Sequence, residues 1–309
     1  MSRYCVRMYS SDFYPDQVRI GIEVSRHWIW PYAHDAESLR TLIAKPGFDP
    51  HLWLYALCDD QVIGFVGAAI DSTSPGKPIE ATIFFPRVTF GHEQASGLLL
   101  AAILDVLRDK QVTYVTGRVT TMCPHELRLA EKAGFAFHDW GHKMYYAYEA
   151  EQGKLPNSGT PAVHLDPDRD LQSCSRLAAL WYKCSIDWCR ECLQAHHEAG
   201  IIAHLGARRD GELIASCLVA ANEIRPTTAA LYYIYAPDKP SLTALLNAAV
   251  NACIEHGADR LIADLIHEHR AFEPVYRKLG FKKVADWARC DKLLTPSSKR
   301  RNTGSTERD

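Results

Sequence analysis

The chain has 309 residues, of which 47% are hydrophobic and 23% charged, and its formal net charge is −2. This length predicts two domains of ordinary size, each with enough apolar residues for a packed core. The nearly balanced charge, without a basic surface interleaved with aromatics, argues against a nucleic-acid-binding protein. The longest apolar stretch, Leu98 to Leu107, is interrupted by Asp105 and is too short to span a bilayer, so no membrane partner is expected.

The first residues and the cysteines suggest a cellular location, and the last residues suggest a disordered tail. The first residues, "MSRYCVRMYSS", lack the apolar run of a signal peptide. The ten cysteines are therefore expected to be reduced thiols in a cytoplasmic protein. The polar tail over residues 295–309 is predicted to be disordered.

The first half of the chain alternates between strand and helix patterns. A strand over residues 4–8 precedes helical segments over 15–27 and 36–43. A hairpin follows, in which two apolar runs flank Asp59 and Asp60. The next strand, residues 80–90, contains Pro86, which predicts a sheet edge or a bulge. A helix comes next, with an apolar face formed by Leu99, Leu100, Ile103, Val106 and Leu107. The strand "VTYVTGRV", a short helix and a "GF" turn follow.

The second half repeats this order. "RLAEKAGF" returns as "PVYRKLGF", and "LYALCDDQVIGFV" returns as "LGARRDGELIASC". A repeat of about 150 residues predicts two like domains rather than a solenoid. The predicted domains are residues 1–150 and 164–294, joined by the polar linker 151–163. The predicted fold class is α/β, with a mixed central sheet flanked by helices in each domain.

A polar loop, "FGHEQASG", lies between the strand at 80–90 and the apolar helix. Small residues and exposed amides at a helix N-terminus suit an anion, commonly a phosphate. An ordinary turn has the same composition, so both interpretations stay open at this point.

This order of elements resembles the GNAT superfamily, the GCN5-related N-acetyltransferases, as two tandem domains over nearly the whole chain. That family binds the diphosphate of acetyl-CoA with a Gln/Arg-x-x-Gly-x-Gly/Ala loop, and His92, Ala95 and Gly97 occupy the three defined positions. "EKAGF" and "RKLGF" are similar to the family's "YEKLGF". The resemblance implies an acyl-CoA-dependent N-acyltransferase that uses acetyl-CoA as co-substrate and a small-molecule amine as acceptor.

The resemblance also implies which residues contact the co-substrate. Its pantetheine arm pairs like an added strand with the end of the 80–90 strand, and its diphosphate lies on the loop. The implied contacts are Val88, Thr89, Phe90, His92, Glu93, Gln94, Ala95, Ser96 and Gly97.

The first copy departs from the family pattern in three places. His92 replaces glutamine or arginine, and Ala95 replaces a glycine, which is tolerable only at negative φ. Ala130 stands where many members carry a tyrosine that protonates the departing thiolate. These departures keep open an alternative from another class, a non-catalytic acyl-CoA sensor or scaffold.

The second copy departs differently. Asp238, Ser241 and Thr243 take the three loop positions, and an acid there repels a diphosphate. The second copy is therefore predicted to be degenerate. Tyr276 occupies the tyrosine position, where a core aromatic is favoured over a general acid.

The transfer also needs a base for the amine and an acid for the thiolate. Glu80 is the predicted base, although an exposed strand-end carboxylate would look the same. Cys123 or the nearby His125 is the candidate acid, and a cysteine at a helix start can have a lowered pKa. Plain packing is the alternative for Cys123.

Two further clusters of residues are candidate binding sites. Trp28, Trp30 and Tyr32 are predicted to bind the acceptor, with a hydrophobic cap on the sheet as the alternative. The second cluster lies on one predicted helix, where the distance along the axis is too long for a compact zinc site, so no metal is predicted. It consists of Cys189, Cys192, His196 and His197.

Overall fold

A computed structural model describes residues 4–26, 28, 39–40, 43–44, 48–70, 78–156, 162–222, 225 and 227–295, with backbone only at 139–142. The chain divides into two compact units. Unit 1 is Met1–Trp140 together with Trp287–Asp309, and unit 2 is Gly141–Asp286. Among the described residues, no helix is long and apolar enough to cross a membrane.

Unit 1 is a mixed sheet with helices on both faces. All neighbouring strands in it are antiparallel except β4 and β5, which are parallel. In spatial order the strands are β1 (Tyr4–Met8), β2 (Trp53–Cys58), β3 (Gln61–Ile70), β4 (Glu80–Val88), β5 (Tyr114–Thr120) and the second part of β12 (Lys282–Leu293). The helices are α1 (Tyr14–Ser25), α2 (Gln94–Asp109) and α3 (Pro124–Lys132).

The main core of unit 1 lies under α2. The predicted apolar face is buried at Leu99, Leu100, Ile103 and Leu107, and Val106 is partly buried at its margin. Burying each of these leucines stabilises the fold by about 1.5–3 kcal/mol. A smaller cluster, which includes Ile20 of α1, covers the other face of the sheet and leaves part of that face open.

Two local predictions for unit 1 are confirmed. The β2–β3 hairpin turns at Asp59 and Asp60, which both have positive φ (50° and 63°), as a tight hairpin turn requires. Strand β4 has a bulge at Pro86: Phe84 pairs with Gly67 but Arg87 pairs with Phe65, so two residues of β4 oppose one of β3.

Strand β4 leaves β5 part-way along its length. Their parallel register runs from Glu80–Tyr114 to Ile83–Gly117 and stops there. Beyond Ile83, β4 continues to Val88 without β5 as its neighbour. The sheet therefore opens at a point set by the bulge.

Unit 2 has the same architecture. In spatial order its strands are β6 (Ala136–Glu149), β11 (Arg260–Ile266), β10 (Thr228–Tyr235), β9 (Glu212–Ala221), β8 (Ala203–Arg209) and β7 (Val163–His164). Its helices are α4 (Pro167–Tyr182), α5 (Ile186–Ala199), α6 (Lys239–Glu255) and α7 (Glu273–Lys278).

The last strand of each unit comes from the other half of the sequence. Residues 143–149 of β6 pair with β11 in unit 2, and residues 287–293 of β12 pair with β5 in unit 1. The units therefore change at 140/141 and 286/287, whereas the sequence places the domains at 1–150 and 164–294. The repeat assigns a last strand to each copy but carries no information about which sheet that strand joins, since main-chain hydrogen bonds decide this.

Candidate active site

The loop between β4 and α2 leaves the sheet through a tight turn. The backbone amide and hydroxyl of Thr89 both donate to the carbonyl oxygen of Ile63, at 2.9 and 3.2 Å. Gly91 follows with φ +85°, a conformation that favours glycine. The side chain of Phe90, between them, is exposed. The ring of His92 packs edge-on against Tyr4, with 5.8 Å between centroids.

A protein carboxylate already lies at the N-terminus of α2. Glu93 Oε1 accepts the Gly91 amide at 2.9 Å. That bond, a second one from the amide of Glu93 itself, and the nearby His125 and His92 lower the pKa of Glu93. The amides of Ala95 and Ser96 donate to the carbonyls of His92 and Glu93. The start of the helix thus favours an anion electrostatically. Several backbone amides that the sequence predicted to be free nevertheless donate hydrogen bonds within the protein.

The helix start differs in exposure from residue to residue. Gln94 begins α2 at the surface, and Ala95 and Ser96 are buried. Ala95 is helical, so the requirement for negative φ is met. The hydroxyl of Ser96 lies 3.0 Å from His125 Nε2. A Cβ added at Gly97 would meet nothing within 4 Å, so the open space of this turn lies at Gly97.

A cavity of about 800 Å³ opens where β4 and β5 diverge. Strand β5 alternates there: Val115 and Val119 pack in the core under α2, while Thr116 and Arg118 line the cavity. Most of the cavity therefore lies on the sheet face opposite α2. Its other polar and aromatic walls include Trp28, Phe84, Arg87, Glu126, Trp287 and Arg289.

Glu126 is one of several titratable groups of this cavity that the sequence did not predict. It stands in the first turn of α3, and burial raises its pKa to about 7 while Arg87 acts in the opposite direction. A glutamate in the first turn of a helix is common for capping and dipole reasons. Its sequence position therefore gave no sign of a partly buried carboxyl group with a raised pKa, and only its place in the helix after β5 pointed to the site.

The two predicted catalytic residues have different surroundings. Glu80 is exposed at the start of β4, three residues before the last β4–β5 pair. Cys123 is buried at the N-cap of α3. Burial, with the charge of Glu126 adding to it, raises the pKa of the Cys123 thiol. The lowered pKa considered from the sequence is therefore wrong, because burial disfavours the charged thiolate.

One of the predicted acceptor residues lines the cavity. The guanidinium of Arg87 lies 4.8 Å from the ring centroid of Trp28, a cation–π contact on the cavity wall. Trp30 and Tyr32 lie outside the described residues.

The corresponding helix start in unit 2 is closed by its own side chains. Asp238 caps α6 and accepts the Ser241 amide at 2.8 Å, and it forms a 3.0 Å ion pair with Arg209. The bond from Ser241 is the main reason why the pKa of Asp238 is lowered. The hydroxyl of Thr243 donates to the carbonyl of Lys239 at 2.8 Å.

Aromatic side chains pack where β10 and β11 diverge in unit 2. The last parallel pair is Leu231–Ala263. Directly after it, the Tyr276 hydroxyl donates to the Asp264 carbonyl at 3.3 Å. Tyr276 is fully buried against Tyr146, which confirms the interpretation as a core aromatic.

The cysteine–histidine face of α5 is divided among different neighbours. Cys189 Sγ lies 3.3 Å from Cys184 Sγ, and His197 Nε2 lies 3.0 Å from His204 Nδ1. His196 packs on the ring of Tyr232. Within the described ranges, no group of three or more His, Cys, Asp or Glu side chains is arranged to hold a metal ion.

No family model and no curated protein sequence matches this chain. Solved structures do match it. A tandem GNAT protein from the clavulanic acid biosynthesis pathway is 14% identical, with a TM-score of 0.67 over 95% of this chain and 99% of that one. The chain has the tandem GNAT fold.

Two other GNAT structures match to a similar extent. A GCN5-related N-acetyltransferase from Sphaerobacter thermophilus is 13% identical, with a TM-score of 0.66 over 96% of this chain and 97% of that one. A GNAT-family acetyltransferase from Colwellia psychrerythraea is 14% identical, with a TM-score of 0.64 over 93% and 99%. Identities this low establish the GNAT fold of the chain and leave its substrate to the chemistry of its own site.

Proposed function

We propose that this protein is an acyl-CoA-dependent N-acyltransferase, with acetyl-CoA as its co-substrate and a small-molecule amine as acceptor, acting in the cytoplasm. Unit 1 is the active unit. The observation that carries the proposal is the divergence of β4 from β5 after Ile83, which opens a cavity of about 800 Å³ beside unpaired strand backbone. Two solved acetyltransferases of the GNAT fold support it.

The residues of unit 1 fit an acyl-CoA. Backbone groups of β4 between Phe84 and Val88 are available for strand-like pairing with a pantetheine arm. The N-terminus of α2 favours the diphosphate, and Gly97 leaves space there. The Glu93 carboxylate bonded to Gly91 would have to move aside for that diphosphate.

Glu126 is the base in this proposal. The acceptor amine attacks the thioester carbonyl, an N–C bond forms, the C–S bond breaks, and the amine proton passes to the Glu126 carboxylate. A carboxyl group with a pKa of about 7 accepts a proton efficiently near neutral pH. The thiolate leaving group takes a proton from water, because the raised pKa of the Cys123 thiol makes it a poor proton donor. Glu80 is the alternative base.

Paired substitutions test the assignment of the active unit. Gly97→Asp adds bulk and negative charge at the open turn of α2, so calorimetric binding of acetyl-CoA should become undetectable while the circular dichroism spectrum is preserved. Thr243→Asp makes the matching change in α6 and should leave the affinity within about threefold. The reverse result would make unit 2 the co-substrate-binding unit.

A second function, a non-catalytic acyl-CoA sensor, is favoured by one observation. The tyrosine position of unit 1 holds Ala130, which is fully buried and offers no acid. Isotope-labelled acetyl-CoA offered with a mixed amine pool separates the two functions. Label recovered on an acceptor supports the transferase, whereas saturable binding without transfer supports the sensor.

A further inference from the structure

Two arginines stand directly opposite each other on the cavity wall. Arg118 of β5 and Arg289 of β12 are register partners in the antiparallel pair that closes the sheet of unit 1. Both side chains are exposed, and both line the cavity. Like charges in directly opposed positions destabilise a sheet. Their side-by-side placement therefore calls for a reason other than stability.

Arg118 and Arg289 make no ion pair or hydrogen bond with any described residue. The nearest carboxylate on the same face of β12, Asp291, is held elsewhere: the Tyr114 hydroxyl donates to it at 2.6 Å, and His138 pairs with it.

The remaining acid of the cavity wall is also accounted for. The charge of Arg87 acts on Glu126, and Arg87 itself lies on Trp28. Arg118 and Arg289 thus form a pair of guanidinium groups without direct ion-pair partners, on a cavity wall whose other ionisable groups include Arg87, Glu126 and Asp291. Two guanidinium groups in this arrangement match the oxygens of a carboxylate or a phosphate.

The pair lies next to the point of chemistry. Gly117 is the last β5 residue paired with β4, and Arg118 is the first residue after it. One strand residue is about 3.3 Å, so the arginines stand beside the opening through which an acceptor would meet the thioester. A group bound by them would be part of the acceptor and would fix its orientation.

We propose that Arg118 and Arg289 form an oxyanion subsite, so that the acceptor is an amine that also carries a carboxylate or phosphate group. The statement that the bound molecule is the acceptor rests on the proposed acyltransferase function. The subsite itself is a property of the cavity and is testable without turnover.

The first experiment measures anion binding by the full chain without co-substrate. Trp28 and Trp287 line the cavity, so tryptophan fluorescence should respond to an anion that binds there. Acetate and inorganic phosphate are titrated separately at constant ionic strength, with chloride as the reference anion. We expect a saturable change for at least one of them, and the stronger response identifies the source of the oxyanion.

Matched variants locate that response. The double variant Arg118→Gln/Arg289→Gln should weaken the binding at least tenfold. Arg176→Gln removes one positive charge from an exposed position of unit 2 and should bind as the wild type does. Absence of saturable binding in the wild type, or equal binding by the double variant, overturns the subsite.

The second experiment compares acceptors in pairs that differ in the presence of an anionic group. Glycine, β-alanine and O-phosphoethanolamine are each offered with acetyl-CoA beside glycinamide, β-alaninamide and ethanolamine. The anionic members should show at least about tenfold higher kcat/KM, and the double variant should lose that preference. Higher kcat/KM for the neutral members overturns the acceptor class. Anion binding without transfer to any amine overturns the transferase and leaves the subsite standing.

Discussion

Glu126 acquires its chemistry from its surroundings. Burial raises its pKa to about 7, so the group is half ionised near neutral pH, where an exposed glutamate is fully ionised. If it is the base, kcat/KM should rise about tenfold per pH unit below about pH 7 and become constant above it, because only the carboxylate accepts the amine proton.

Glutamine substitutions test this assignment. Glu126→Gln should lower kcat by roughly 10²-fold and remove the rising part of the pH–rate profile. Glu80→Gln, at the exposed start of β4, should leave the profile unchanged. Loss of the rising part in Glu80→Gln, with the profile of Glu126→Gln intact, would assign the base to Glu80.

The same carboxyl group links stability to pH. Its folded pKa of about 7 exceeds the ordinary value of 4.5, so the unfolded chain releases this proton first. Its contribution to the free energy of unfolding is therefore complete below about 4.5 and is lost as pH rises through about 7. Glu126→Gln should flatten the dependence of the melting temperature on pH in this range, and an unchanged slope would contradict the raised pKa.

The arginine pair predicts a gain of stability on mutation. Arg118→Gln removes the repulsion with Arg289 and should raise the free energy of unfolding by about 0.2–1 kcal/mol in low salt. The gain should shrink as salt is added, because these exposed charges are screened. Chemical denaturation measures both effects, with Arg176→Gln as the control. A loss of stability in Arg118→Gln would mean that the guanidinium is engaged in the folded protein.

At the scale of elements, the start of α2 carries a built-in anion. Glu93 accepts the amide of Gly91 at 2.9 Å, at the helix start proposed to bind the diphosphate of an acyl-CoA. In unit 2, Asp238 likewise accepts a bond from a helix-start amide, that of Ser241, and also forms an ion pair with Arg209. The two helix starts differ in how the carboxylate is held. An ion pair with Arg209 fixes Asp238, whereas Glu93 is exposed.

Glu93 should therefore weaken acyl-CoA binding. Glu93→Gln keeps the size of the side chain but removes its charge, so repulsion of the diphosphate falls and the affinity for acetyl-CoA should rise about three- to tenfold by calorimetry. Glu131→Gln, an exposed change on α3, serves as the control. Weaker binding by Glu93→Gln would instead mean that its carboxylate holds the loop in its binding conformation.

At the scale of the whole molecule, the exchange of last strands makes each half of the sequence incomplete. Residues 287–293 pair with β5 and supply Ala288 and Cys290 to the core under α2. A fragment of residues 1–150 lacks this strand and half of the arginine pair. It also carries residues 143–149, whose pairing partner β11 is absent from the fragment.

We expect the 1–150 fragment to lack a cooperative thermal transition, since an exposed β5 edge and a partly open core remain. Adding residues 282–295 through a flexible linker should restore a transition in near-UV circular dichroism. A fragment of 1–150 that unfolds cooperatively without the addition would establish the boundary predicted from the sequence.

The sequence by itself determined the local features of this protein. Asp59 and Asp60 between two apolar runs place a hairpin, Pro86 marks a sheet edge or a bulge, and the spacing of Leu99, Ile103 and Leu107 orients a helix. Each of these follows from neighbouring residues alone, through backbone sterics or periodicity. The repeated "GF" endings likewise indicated two like domains.

The tertiary structure decided everything that depends on residues far apart in the chain. It raised the pKa of Cys123, for which a helix start suggested the opposite, and that of Glu126, because burial is set by surrounding elements. It also brought Arg118 and Arg289 together, although they lie 171 positions apart in the sequence (289 − 118). Strand pairing over such distances leaves no local pattern, since any strand edge offers the same amides and carbonyls.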